Sequence, residues 1–185
     1  MVANQLDLDG TGTNNTLQTV FPTNGLPNQF RVYAFDPSSG GFASATYLSA
    51  TGIWSGNTAA VNKALSLGQG VVVQVPASAT PFAITIVGQV PQGALTTPLN
   101  TAGYAIVSSQ VPQGGLVQTD LGLSPVNQDR VYRYNNPAGG YVISTYLSAS
   151  GAWTGGGGQP NVPVGEAFFY QGHAGSSWVR NFTVQ

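Results

Sequence analysis

Arg31-Val32-Tyr33-Ala34-Phe35-Asp36-Pro37-Ser38-Ser39-Gly40-Gly41 leads through small and aromatic residues to Thr46-Tyr47-Leu48-Ser49-Ala50, and the pattern returns 99 positions later. There it reads Arg130-Val131-Tyr132, then Gly139-Gly140, then Thr145-Tyr146-Leu147-Ser148-Ala149. The register holds without a gap from Arg31 to Gly56 against Arg130 to Gly155, with 13 of 26 positions identical, Trp54 and Trp153 among them. A self-match of this length makes the internal repeat the first fact about the fold. Within it, short runs rich in Val, Ile, Thr, Tyr and Phe alternate with Gly, Pro, Asn and Ser clusters, and no apolar 3.6-residue period is sustained. The expectation is all-β. Asp36-Pro37 and Asn135-Asn136-Pro137 open turns, the glycine pairs supply positive φ, and each element becomes a hairpin. Because side chains alternate along a strand, Arg31, Tyr33 and Phe35 share one face, as do Arg130, Tyr132 and Tyr134. This aromatic face is expected to point into the core.

Working outward, Asn28-Gln29 matches Asn127-Gln128, Leu67 to Val73 matches Val164 to Tyr170, and Phe82 to Gln89 matches Trp178 to Gln185. The chain therefore divides into an N-terminal arm (1–13), a first β repeat (14–89), a connecting segment carrying one strand (90–113) and a second β repeat (114–185). The expected fold is two tandem copies of a β-sandwich or jelly-roll-like unit behind an extended arm. The connecting segment is bracketed by Val90-Pro91-Gln92-Gly93 and Val111-Pro112-Gln113-Gly114 and holds the strand-like Gly103 to Ser109. Nothing in Met1 to Thr13 is expected to match that strand, so the first copy is expected to lack one. An unmatched arm ahead of an incomplete sheet is expected to complete a neighbouring molecule by strand addition, with Val2, Leu6 and Leu8 as its apolar anchors.

Composition narrows the function. The chain has 185 residues, five Lys and Arg, six Asp and Glu, one His, no Cys and a net charge of -1. Five cations cannot build the basic footprint that nucleic acid or an anionic membrane requires. Low charge favours association with other surfaces. The apolar runs Val71 to Val75 and Phe82 to Val87 are too short to span a bilayer, so no membrane insertion is expected. The first residues show neither the basic nor the apolar region of a signal peptide.

Most chemistry-bearing patterns fail on context. Asp7-Leu8-Asp9-Gly10-Thr11 has the letters of an aspartyl-phosphate motif without the buried strand that should precede it. Asp7 and Asp9 are weak Ca²⁺ candidates with no distal bidentate Glu, and a solvated turn is the expectation. Asp36 corresponds to Asn135, Glu166 to Gln69 and Asp129 to Phe30, so no carboxylate recurs and no paired-acid hydrolase is indicated. Glu166 alone is kept as a candidate acid. His173, beside Ser176 and Ser177, lacks the elbow of a Ser-His-Asp hydrolase, and the four glycines from Gly155 are not followed by the Lys-Ser of a phosphate loop. No cofactor and no enzymatic activity are expected. Trp54, Trp153, Tyr47 and Tyr146 are the residues a carbohydrate-binding module would use for stacking, although core anchoring is favoured for them. Asn14 and Asn181 lie in glycosylation sequons, which keeps a glycoprotein open.

Gly165-Glu166-Ala167-Phe168-Phe169-Tyr170, the closing Trp178-Val179-Arg180-Asn181-Phe182, and Gly103 to Gly114 together resemble a tandem β-rich unit of exported proteins from environmental bacteria, notably verrucomicrobial and planctomycete ones. The resemblance covers nearly all of the chain after residue 13 and implies an extracellular or cell-surface setting, with no catalytic motif attached. The plan of an arm ahead of a cysteine-free β domain is also similar to subunits of bacterial fibrils assembled by strand donation. The function expected is a structural subunit of an extracellular fibril or surface layer, with itself as partner and glycans as a further one. The alternative is a lectin-like carbohydrate-binding module.

Overall fold

A computed structural model describes residues 1–56, 61–99, 103–173 and 177–184. The chain is all-β and sandwich-like, built from antiparallel sheets with little helix. In chain order the elements are β1 (Val2–Ala3), α1 (Leu17–Val20), β2 (Arg31–Asp36), β3 (Gly41–Leu48), β4 (Ile53–Gly56), β5 (Gly70–Gln74), β6 (Gly93–Pro98), β7 (Gly103–Val107), β8 (Gly115–Leu116), β9 (Arg130–Asn135), β10 (Gly140–Leu147), β11 (Ala152–Thr154), β12 (Asn161–Val162), β13 (Phe168–Gly172) and β14 (Ser177–Phe182). Two five-stranded sheets run β1-β5-β2-β3-β4 and β11-β10-β9-β13-β7, and two-stranded ribbons join β12 to β8 and β14 to β6.

Matched sequences take matched pairings. Arg31 lies opposite Thr46 and Arg130 opposite Thr145; Tyr47 lies opposite Trp54 and Tyr146 opposite Trp153. The hairpin turns form as their residues dictate. The Asp36 carboxylate accepts from the Ser38 N–H at 3.0 Å and Oγ at 2.7 Å, and Gly40 takes φ 67°. Asn135 accepts from the Ala138 N–H, and Gly139 takes φ 66°. Gln29 and Gln128 are the two described non-glycine residues with positive φ, at 63° and 69°. Each donates its N–H to the carbonyl of its own Tyr47 or Tyr146 at 2.8 Å, while the preceding Asn28 and Asn127 cap Ser49 and Ser148. Strain in each left-handed residue is thus held by two bonds, one from its own N–H and one to the side chain of the preceding Asn.

The core lies on the opposite face from the one expected. Val32 and Ala34 are buried with Phe21, Phe30, Leu17 and Val71, whereas Arg31 is exposed and Tyr33 and Phe35 are half-buried. In the second unit Val131 is buried beside Phe168, Tyr170 and Trp178, while Tyr134 is exposed. The inner face of β2 takes small residues because Phe21 and Phe30, both fully buried, already fill the space in front of it. The aromatic face is left outside.

The arm is the larger surprise. Val2 lies opposite Val71 and Ala3 opposite Gly70, so β1 sits on the first sheet where β7 sits on the second. Met1-Val2-Ala3-Asn4-Gln5 stands in the place of Ile106-Val107-Ser108-Ser109-Gln110, a match of two identical residues that is too short to see by sequence. The arm also joins the halves. Val2 bridges Glu166 as Val107 bridges Gln69, and the Ala3 N–H donates to Gly165 O at 2.9 Å as the Ser108 N–H donates to Gly68 O at 2.8 Å. Gly70 meets its counterpart Ala167 at this seam; a Cβ on Gly70 would come within 2.6 Å of Ile106 Cγ2.

Candidate functional site

The ionisable groups singled out by sequence are engaged in holding the fold. Arg133 donates from Nε and Nη2 to the two oxygens of Glu166 at 2.8 and 2.9 Å, a bidentate pair in place of a free acid. Buried Asp129 accepts from Tyr170 Oη and from the N–H groups of Val126 and His173, at 2.8 and 3.0 Å for the latter two, and His173 Nδ1 lies 3.4 Å away. This ties the β13 end to the loop before β9. Ser177 begins β14, and Ser176 lies outside the described residues. Asp7 accepts from Asn15 Nδ2 at 3.0 Å and the Gly12 N–H at 2.9 Å. Asp9 accepts from the Thr11 N–H and Oγ1 and from Asn14 Nδ2, and these bonds lower its pKa from the ordinary 3.8. Protein donors therefore use the oxygens that a Ca²⁺ ion would need. No cluster of three acidic or His residues is present among the described residues.

The four aromatic residues proposed for stacking belong to the cores. Tyr47 and Trp153 are buried, Trp54 packs edge-on against Phe21 and Phe30, and Tyr146 packs on the second core. Trp153 Nε1 donates to Gln118 Oε1 at 2.9 Å. A different set is exposed: Phe42, Tyr104, Tyr134 and Tyr141 stand on the outer faces of the two large sheets around half-buried Phe35, Tyr132 and Phe169. The rings meet in edge-to-face pairs, and Phe35, Tyr104, Tyr132, Tyr141 and Phe169 enclose an apolar depression of about 320 Å³.

The assembly anchors sit as follows. Val2 packs against the first core, Leu6 is half-buried and Leu8 is exposed. Between them the polar residues carry the arm's attachment. Asn4 Nδ2 donates to Leu65 O at 2.7 Å; Gln5 Nε2 donates to Ser108 Oγ, Ser109 O and Val111 O, and Gln5 Oε1 accepts the Gly165 N–H. Asn14 and Asn181 are both exposed.

What remains unfilled is strand edge. In the second unit β14 pairs with β6 along its whole length, from Ser177 opposite Pro98 to Phe182 opposite Gly93. The corresponding stretch of the first unit, Phe82 to Gly88, turns Phe82, Ile84 and Ile86 toward the first core and exposes Ala83, Thr85 and Val87. Among the described residues no backbone hydrogen bond reaches it; bonding resumes at Gln89, which exchanges both bonds with Asp7. The edge of β5 is also unfinished: β1 covers only Gly70 and Val71, whereas β7 covers β13 from Phe168 to Gly172. The uncovered end forms a concavity of about 620 Å³ lined by Met1, Val72, Val73, Gln74 and Tyr141. Sequence comparison pointed to a missing strand without locating it, and the alternation in Phe82 to Val87 was the available signal.

Comparison with family models, with curated proteins and with solved structures finds no match. No helix among the described residues is long and apolar enough to cross a membrane.

Proposed function

We propose that the chain is a structural subunit that associates with further copies of itself in an extracellular fibril or surface layer, through the unfinished sheet of its first unit. The observation that carries this is that, among the described residues, no backbone hydrogen bond reaches Phe82 to Gly88, whereas its counterpart β14 is fully paired. A row of unpaired N–H and C=O groups is a template for strand addition. The segment carries no charge to blunt it, and the chain has a net charge of only -1 to oppose close approach. The arm, with Val2, Leu6 and Leu8, is the other element that strand donation would use. Its bonds within the chain favour a role as internal clasp, and they move the proposed contact to the edge that no strand covers.

Thr85→Pro tests the proposal. The Thr85 N–H has no bond among the described residues, and proline is tolerated on an edge while removing a ladder donor. The variant should fold with unchanged melting temperature and fail to form the large particles that negative-stain imaging is expected to show for the parent. Particles of unchanged size and number would refute the edge as the contact.

A second reading, a glycan-binding module, rests on the exposed Tyr104 and Tyr141 around the apolar depression. Those rings replace Trp54, Trp153, Tyr47 and Tyr146, which pack in the two cores, as the stacking surface.

A further inference from the structure

The open edge raises the question of which strand fills it. Among the described residues β6 is occupied by β14 through six residue pairs, and no strand takes the corresponding place beside Phe82 to Gly88. A second copy arrives with its own β6 equally engaged. The segment it does bring without a backbone partner among the described residues is its own Phe82 to Gly88. Resting on the self-association proposed above, we infer that two copies join by pairing these segments with each other, antiparallel, about a two-fold axis that passes between their Thr85 residues.

Three features of the segment set this register. Side chains alternate, so inward residues must stand opposite inward ones for both copies to keep Phe82, Ile84 and Ile86 on their cores. A two-fold axis at Thr85 meets this condition: Ile84 faces Ile86 of the second copy, Ala83 faces Val87, and Thr85 faces Thr85, a favourable cross-strand pair. An axis at Ile84 also keeps the alternation but brings Pro81 into the ladder opposite Val87, where it has no N–H to donate. With the axis at Thr85 the ladder runs from Phe82 to Gly88, stops short of Pro81, and ends before Gln89, whose backbone is already bonded to Asp7. The segment contains no acidic or basic residue, so bringing two copies together sets no like charges opposite each other. The contact is isologous and closes on itself, making a pair the building block of any longer array.

The chain has no cysteine, so single engineered thiols are read without background. Thr85→Cys, oxidised to a disulfide or joined by a short bis-maleimide, is expected to give a covalent dimer on a non-reducing gel. Ala83→Cys alone is expected to give several-fold less, because its two copies stand about 13 Å apart along the strand at ~3.3 Å per residue. Ala83→Cys mixed with Val87→Cys restores the cross-link. Two results overturn this pairing while leaving self-association through the edge intact: loss of large particles in Thr85→Pro with no cross-link from Thr85→Cys, or cross-linking of Thr85→Cys to Ala94→Cys instead. The latter would mean that β6 is exchanged between copies, since Ala94 faces Asn181, the counterpart of Thr85. Particles unaffected by Thr85→Pro, with no cross-link, would remove both the pairing and the association it rests on.

Discussion

Val2 and Val107 hold the same place in the two halves of the molecule. Val2 lies opposite Val71 and bridges Glu166; Val107 lies opposite Phe168 and bridges Gln69. Each strand thus extends its own sheet and touches the other, and the halves are locked by an exchange of equivalent bonds. The halves differ in how far this strand extends: β7 pairs with β13 from Gly103 to Val107, whereas β1 pairs with β5 only at Val2 and Ala3.

The seam should be intolerant of bulk. Gly70→Val inserts side-chain atoms where Ala167 and Ile106 already stand. Overpacking of this kind costs about 1–3 kcal/mol, and a thermal melt should show a drop of about 2–4 °C per kcal/mol for a chain of this size. An unchanged melting temperature would mean that the seam yields without cost.

The arm should behave as part of the fold. Gln5→Ala removes an amide whose nitrogen donates to three acceptors and whose oxygen accepts the Gly165 N–H, leaving buried partners unpaired. The expected loss is about 1–3 kcal/mol, read by denaturant titration. Amide exchange at Ala3 and Asn4, which donate to Gly165 O and Gln69 O, should be slow; rapid exchange there would show a frayed arm.

The two aromatic sets should separate folding from binding. Trp153→Ala empties a core position and loses the bond to Gln118, for about 3–5 kcal/mol. Tyr141→Ala removes an exposed ring and should leave the melting temperature within about 2 °C, since surface changes stay near ±0.5 kcal/mol. If a glycan array shows binding by the parent, Tyr141→Ala should lose it; retained binding would contradict a site at the exposed rings.

Asp36 reports on the first hairpin turn. Bonds from the Ser38 hydroxyl, the Ser38 N–H and the Ser39 hydroxyl lower its pKa from the ordinary 3.8, and its folded form therefore favours the ionised carboxylate. The contribution of these bonds is present above the unfolded pKa and is lost as pH falls through the folded one. Carboxyl-detected NMR should place its midpoint below 3.8, and Ser38→Ala should move it back toward that value.

The sequence carried the hairpins in full, because Asp36, Asn135 and the glycine pairs each act locally through turn geometry. It misplaced the face of β2 and β9, because which side is buried depends on what stands in front, here Phe21 and Phe30 from outside the strand. Period-2 alternation fixes two faces and names neither. The arm was hidden for a related reason: a two-residue ladder needs little side-chain identity, and the Val2 and Gln5 matches to Val107 and Gln110 lie below any alignment signal. The bare edge was legible only as a count of strands. Its position depends on pairing between β6 and β14, which are separated by most of the second unit.

Sedimentation velocity across a concentration series, run on the parent chain and on Thr85→Pro side by side, tests the proposed association most directly. The parent should shift to faster-sedimenting species as concentration rises, and Thr85→Pro should remain a single species at the monomer mass of 19.0 kDa. A parent that stays monomeric throughout, or a Thr85→Pro variant that associates as the parent does, would contradict the account.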